Sequence, residues 1–129
     1  MLSAAALHVL VVNDQRSIRL LLCDTLKQVG IRNMEEAEDG EDGVKRLTAR
    51  PAHLVISDFN MPKLDGLGFL RAVRKDPTLG KTPFIMLTSA SDETIVKRGI
   101  ELGLNNYLPK HFSVGSLRRK IEAVFGMFS

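Results

Sequence analysis

A chain of 129 residues with 44% hydrophobic and 26% charged content makes one soluble globular domain around a single substantial core. Its net charge of +3 admits an acidic partner but falls short of the dense basic stripe of a DNA-binding protein. One cysteine, Cys23, excludes a disulfide framework and a thiolate metal site; with no signal peptide and no apolar run of about 20 residues, a cytoplasmic monomer is expected.

The first strand candidate, His8–Val12, is short and β-branched, and polar Asn13-Asp14-Gln15-Arg16 follow it. Ser17 is the expected cap of the first helix. Along that helix Ile18, Leu21, Leu22, Thr25, Leu26 and Val29 recur at three- and four-residue spacing on one inward face, and Gly30 ends it. Residues 33–38 form a polar, weak strand suited to a sheet edge. Residues 39–50 read as a short helix with Val44 and Leu47 inward, closed by Pro51.

Leu54–Asp58 starts as a wholly apolar run and ends on a carboxylate. A run apolar on both faces is a strand buried in a parallel sheet. The helix from Leu67, marked by Leu70 and Val73, stops before Asp76-Pro77, because a residue preceding proline resists helical geometry. Residues 84–87 are a fourth apolar strand running into Thr88, with Ser91 and Asp92 as candidate caps of the next helix. Ile95, Val96, Gly99 and Ile100 pattern that helix, and Gly103 closes it. Residues 107–110 make a short fifth strand, placed at an edge by Pro109. Val114, Leu117, Ile121, Val124 and Phe125 mark the last amphipathic helix.

Strict alternation predicts an α/β fold: a doubly wound, five-stranded parallel sheet with helices on both faces. No linker, repeat or low-complexity stretch divides residues 1–129, so one domain without an output domain is expected.

Parallel strands deliver their carboxyl ends to one edge of the sheet, where open α/β folds bind ligands. Five polar groups converge there: Asn13 and Asp14 from the first strand, Asp58 from the third, Thr88 from the fourth, Lys110 from the fifth. Two carboxylates and a carboxamide suit a hard cation such as Mg²⁺. A lysine ammonium and a threonine hydroxyl suit an anion. Together these are the parts that phosphoryl transfer to an aspartate demands, since that chemistry is mostly positioning and charge neutralisation.

In these residues the chain resembles the receiver domain of two-component response regulators, and most of all its stand-alone, CheY-like type. The resemblance spans residues 7–125 and rests on an ordered set: Ser57-Asp58-Phe59-Asn60-Met61-Pro62, Asp65-Gly66, Thr88, Tyr107 and Lys110. It implies the flavodoxin-like strand order 2-1-3-4-5 and Asp58 as phosphoacceptor. It implies Mg²⁺ (or Mn²⁺) held by Asp14, Asp58 and the backbone carbonyl of Asn60, with Asn13 reaching the ion through water. Thr88 and Lys110 would meet the phosphoryl oxygens, and Tyr107 would swing inward when Thr88 moves. The fourth helix, fifth strand and fifth helix, carrying Lys97, Arg98, Arg118, Arg119 and Lys120, would form the docking surface. The implied partners are a histidine kinase or phosphotransfer protein and a downstream target such as a motility component.

Two positions depart from the family pattern. Asn13 stands where the family has the first of two acids, so weaker Mg²⁺ binding than in a two-acid receiver is expected. His111 stands where the family has a proline after a cis bond. A non-proline cis peptide costs about 3–4 kcal/mol, so Lys110–His111 is expected to be trans.

The leading function is a single-domain response regulator in chemotaxis or motility control. It is not an enzyme beyond its own phosphotransfer and autodephosphorylation. The alternative is a degenerate receiver that binds an acidic protein or an anionic nucleotide without phosphorylation, through arginines suited to phosphates. A phosphatase of the haloacid-dehalogenase kind wants a second aspartate where Asn60 stands, and is set aside. His8, His53 and His111 lie far apart in sequence without ligand spacing, so no histidine metal site is expected.

Overall fold

The computed structural model describes residues 3–89 and 93–126. Five strands, β1 His8–Val12, β2 Asn33–Ala37, β3 Leu54–Asp58, β4 Phe84–Thr88 and β5 Asn106–Pro109, form one parallel sheet in the order β2-β1-β3-β4-β5. α1 Arg16–Val29 and α5 Val114–Phe125 cover one face of it. α2 Gly40–Ala49, α3 Gly66–Lys75 and α4 Glu93–Glu101 cover the other.

The two-residue period of a strand builds both cores at once. Val9 and Val11 face the α1/α5 layer, while Leu10 and Val12 face the α2/α3/α4 layer. Leu54 and Ile56 divide from Val55 in the same way. β1, β3 and β4 are buried at every position, whereas β2 and β5 are partly exposed, as edge strands must be. Phe69 of α3 meets Phe84 of β4 edge-on at 5.3 Å, and both rings are fully buried. Each large core side chain of this kind contributes about 1.5–3 kcal/mol.

Two expectations for α1 are corrected. Its N-terminal cap position is Gln15 rather than Ser17, without a side-chain capping bond, because the Asn13 carboxamide already closes the preceding turn. Leu21 is 53% exposed instead of inward, and Cys23 takes the buried position. The sheet meets α1 along the stripe that holds Cys23, Leu26 and Val29, which rotates Leu20 and Leu21 outward. The candidate caps Ser91 and Asp92 lie outside the described residues. Elsewhere the capping is as physics prefers: Asp39 accepts from Asp42, Asp65 from Gly68, and Ser113 forms a reciprocal box with Ser116. No helix among the described residues is long and apolar enough to cross a membrane.

At the end of the sheet away from the β-strand carboxyl termini, Arg74 of α3 acts as a clasp. Its guanidinium donates to the carbonyls of Gly80, Thr82 and Gly103 and to Asn105 Oδ1, at 2.6–3.1 Å. It therefore ties the entries of β4 and β5 to α3. Arg74→Ala is expected to cost about 2–3 kcal/mol, the scale of hydrogen bonds from a charged group. Urea unfolding would measure this, and a loss under about 0.5 kcal/mol would contradict it.

Candidate phosphoacceptor site

The strand register sets the site. β1 pairs with β3 as Val12↔Ser57, so Asn13 and Asp14 leave β1 beside Asp58. β3 pairs with β4 as Asp58↔Leu87, and β4 with β5 as Thr88↔Pro109, so Thr88 and Lys110 emerge on the other side.

Asp58 is 4% exposed. Its Oδ1 accepts the Phe59 backbone N–H at 2.8 Å and lies 3.2 Å from the Lys110 ammonium. Burial pushes the Asp58 carboxyl above the usual aspartate range, and the neighbouring Asp14 charge adds to the rise. The Lys110 charge and the Phe59 N–H oppose it but do not cancel it. Lys110 reaches in from a side chain that is 40% exposed, and its backbone N–H donates to the Thr88 carbonyl at 2.9 Å. Thr88 itself is buried. Lys110–His111 is trans, in line with the missing proline.

Removing the Lys110 charge should therefore raise the Asp58 pKa further. Carboxyl-carbon NMR of the metal-free protein would follow it directly. A Lys110→Ala chain whose Asp58 titrates at or below the wild-type position would show that the ammonium does not govern this carboxyl.

Asn13 is 2% exposed, and its Oδ1 accepts the Gln15 N–H at 2.9 Å, while Asp14 is exposed at the mouth of the cleft. Tyr107 is 39% exposed, with the Lys120 ammonium 5.1 Å from its ring centre. Beside it lies a groove of about 370 Å³ between α4 and β5, lined by Thr88, Val96, Lys97 and Tyr107 among others. Lys97, Arg98 and Arg119 are exposed, and Arg118 pairs with Glu122 at 3.5 Å.

Residues 9–122 match the response regulator receiver domain family. The chain is a receiver domain. This receiver is 51% identical over 123 residues to "Probable chemotaxis protein CheY" of Rhizobium etli, covering 95% of each chain. It is 33% identical over 121 residues to chemotaxis protein CheY1 of Helicobacter pylori, covering 93% of the receiver and 98% of that protein. The solved structure of chemotaxis response regulator CheY4 of Vibrio cholerae matches it with a TM-score of 0.83 at 31% identity, over 92% of the receiver and 98% of that chain. Receiver domains bind Mg²⁺ in their active site and interact with histidine kinases and downstream targets.

Three contributions escape a reading of the sequence. Gly66, the first residue of α3, packs so closely on β3 that a Cβ would lie 2.6 Å from the Asp58 carbonyl oxygen. Asp39, buried at the start of α2, faces Lys63 at 3.9 Å, and Lys63 adopts φ +66°, a conformation that favours glycine or asparagine. Arg19 bonds the Asn13 carbonyl at 2.6 Å and Glu36 at 3.0 Å. Arg19 had a signal: it shares the three- and four-residue spacing of Leu22, Cys23 and Leu26, an unusual place for a charge. His8 and His53, distant in sequence, are adjacent in the fold, where His53 Nδ1 accepts the His8 backbone N–H at 2.9 Å.

Proposed function

We propose that this receiver is a single-domain response regulator whose Asp58 takes a phosphoryl group from the phosphohistidine of a kinase or phosphotransfer protein. The observation that carries this reading is the buried Asp58 carboxylate with the Lys110 ammonium 3.2 Å from its Oδ1. A nucleophile of this kind needs a fixed cation to meet the charge on the incoming group.

The donor set fits Mg²⁺ (or Mn²⁺): two carboxylates and a carbonyl are all-oxygen, and the exposure of Asp14 leaves room for retained waters. Asp14, Asp58 and the Asn60 carbonyl would hold the ion. Asn13 would reach it only through water. When bound, the ion neutralises charge on the phosphoryl oxygens. In the transfer, an Asp58 oxygen forms the new P–O bond as the P–N bond of the donor breaks, returning its electron pair to the imidazole. Lys110 pairs with the phosphoryl charge, and the Thr88 hydroxyl donates to a phosphoryl oxygen. That pull draws Thr88 from the groove beside Tyr107, which supports the inward swing of the ring and a changed α4–β5–α5 surface. Chemotaxis or motility control, suggested by the relatives' names, is the role this surface would serve, with Lys97, Arg98, Arg118, Arg119 and Lys120 meeting the partner.

The test is incubation with Mg²⁺ and a small phosphodonor. An acid-stable, base-labile adduct is expected, and its absence with every donor would favour a phosphorylation-independent binding module. Asn13 removes one negative charge, so Mg²⁺ binding is expected to be weaker than in a two-acid receiver. Isothermal titration giving a sub-millimolar Kd would contradict that.

A further inference from the structure

Arg19 lies one turn into α1, yet its side chain is only 11% exposed. A charge withdrawn this far from water is costly unless it is fully engaged. Its two engagements are specific. Nη1 donates to the carbonyl of Asn13 at 2.6 Å, and Nε donates to Glu36 Oε1 on β2 at 3.0 Å.

The carbonyl it holds belongs to the peptide that joins Asn13 to Asp14. That peptide is planar, so fixing its oxygen fixes the plane from which the Asp14 Cα departs. The same turn is held at two other points. Asn13 N–H donates to the Ala37 carbonyl at 3.1 Å, and Asn13 Oδ1 accepts from Gln15 N–H at 2.9 Å. Because Asn13 carries no charge, the counter-charge for the guanidinium is Glu36, which sits opposite Val11 on the neighbouring strand. β2, which supplies none of the proposed ligands, thereby enters the site.

The geometry points to Arg19 as a positioning residue for the cation: through the Asn13 carbonyl, and anchored by Glu36, it orients the backbone that presents Asp14. This rests on the reading of Asp14 and Asp58 as the cation-binding pair.

The probe is Mn²⁺, whose binding is measured by electron paramagnetic resonance on wild type, Arg19→Ala, Arg19→Lys and Glu36→Gln. Amide hydrogen exchange at Gln15 is measured on the metal-free proteins. Arg19→Ala is expected to weaken Mn²⁺ binding by roughly 10–100-fold, the usual loss when a group behind a ligand is removed. Gln15 exchange should accelerate in the same variant. Arg19→Lys should recover only part, because one ammonium cannot hold carbonyl and carboxylate in a fixed fork. If Arg19→Ala does not fold, the Arg19→Lys and Glu36→Gln chains carry the test, each with weaker Mn²⁺ binding expected. Variants that melt earlier but keep wild-type Mn²⁺ affinity and Gln15 exchange would reduce Arg19 to a structural role and overturn this inference alone. A wild-type chain that binds no Mn²⁺ would overturn the cation reading and this inference with it.

Discussion

Asp58→Asn is expected to abolish the phosphoryl adduct and, in the metal-free protein, to raise the melting temperature. The two effects share one cause. A carboxylate at 4% exposure beside Asp14 is held with its pKa above the usual range, chiefly by burial. A raised folded-state pKa means that the folded chain binds a proton at pH values where the unfolded chain has released it. Stability therefore rises as pH falls through the folded-state pKa toward the unfolded one, and at neutral pH the ionised group is a liability. An asparagine keeps the acceptor for the Phe59 N–H and removes the buried charge. Lys110 loses its partner, but at 40% exposure its ammonium returns to water at little cost. Function maintained at the expense of stability is common at active sites. Calorimetry at neutral pH would decide the sign. A lower melting temperature for Asp58→Asn would show that the Lys110 pair outweighs the burial of the charge. Retention of the adduct would displace Asp58 as phosphoacceptor.

Gly66→Ala should damage both stability and phosphorylation, against the direction that helix propensity predicts. Alanine in place of a helical glycine is ordinarily favourable by up to about 1 kcal/mol. Here the added methyl would sit 2.6 Å from the Asp58 carbonyl oxygen and 2.8 Å from the Phe59 Cα. Both are backbone atoms of the segment that presents Asp58, so neither can rotate away. Relief requires α3 to retreat or β3 to shift, and the Gly66 N–H bond to the Phe59 carbonyl at 2.8 Å opposes either. Overpacking of this kind costs about 1–3 kcal/mol. Moving Asp58 away from Lys110 would also slow the transfer. Gly115→Ala is the control. It too is helical, but its nearest neighbour would be the Arg119 guanidinium at 3.6 Å, ordinary contact. A gain at Gly115 beside a loss at Gly66 separates packing from propensity. A stabilised Gly66→Ala chain that still phosphorylates at the wild-type rate would mean the backbone there yields easily.

The sequence by itself determined the sheet and which polar residues stand at the edge where its strands end. Five short strand candidates, the central ones apolar or β-branched, alternate with helical periodicity and leave little choice but a parallel, doubly wound architecture, and strand polarity then sends Asp14, Asp58, Thr88 and Lys110 to one end. The edge positions of β2 and β5 were legible from a polar strand and a proline. So was the trans bond at Lys110–His111, from the cost of the alternative. What only the tertiary structure decided is how these parts are held. Periodicity placed Leu22, Thr25, Leu26 and Val29 of α1 inward, but packing against the sheet decided the margin of that face, leaving Leu21 exposed and Cys23 buried. The Arg19 link to β2, the close seat of Gly66 on Asp58 and the meeting of His8 with His53 are contacts between segments distant in the chain or shaped by their packing. Periodicity records how far each residue prefers to be from water. It carries no record of which neighbour will be there, and at Asp58 the neighbours set the pKa, the approach of Lys110 and the space that remains.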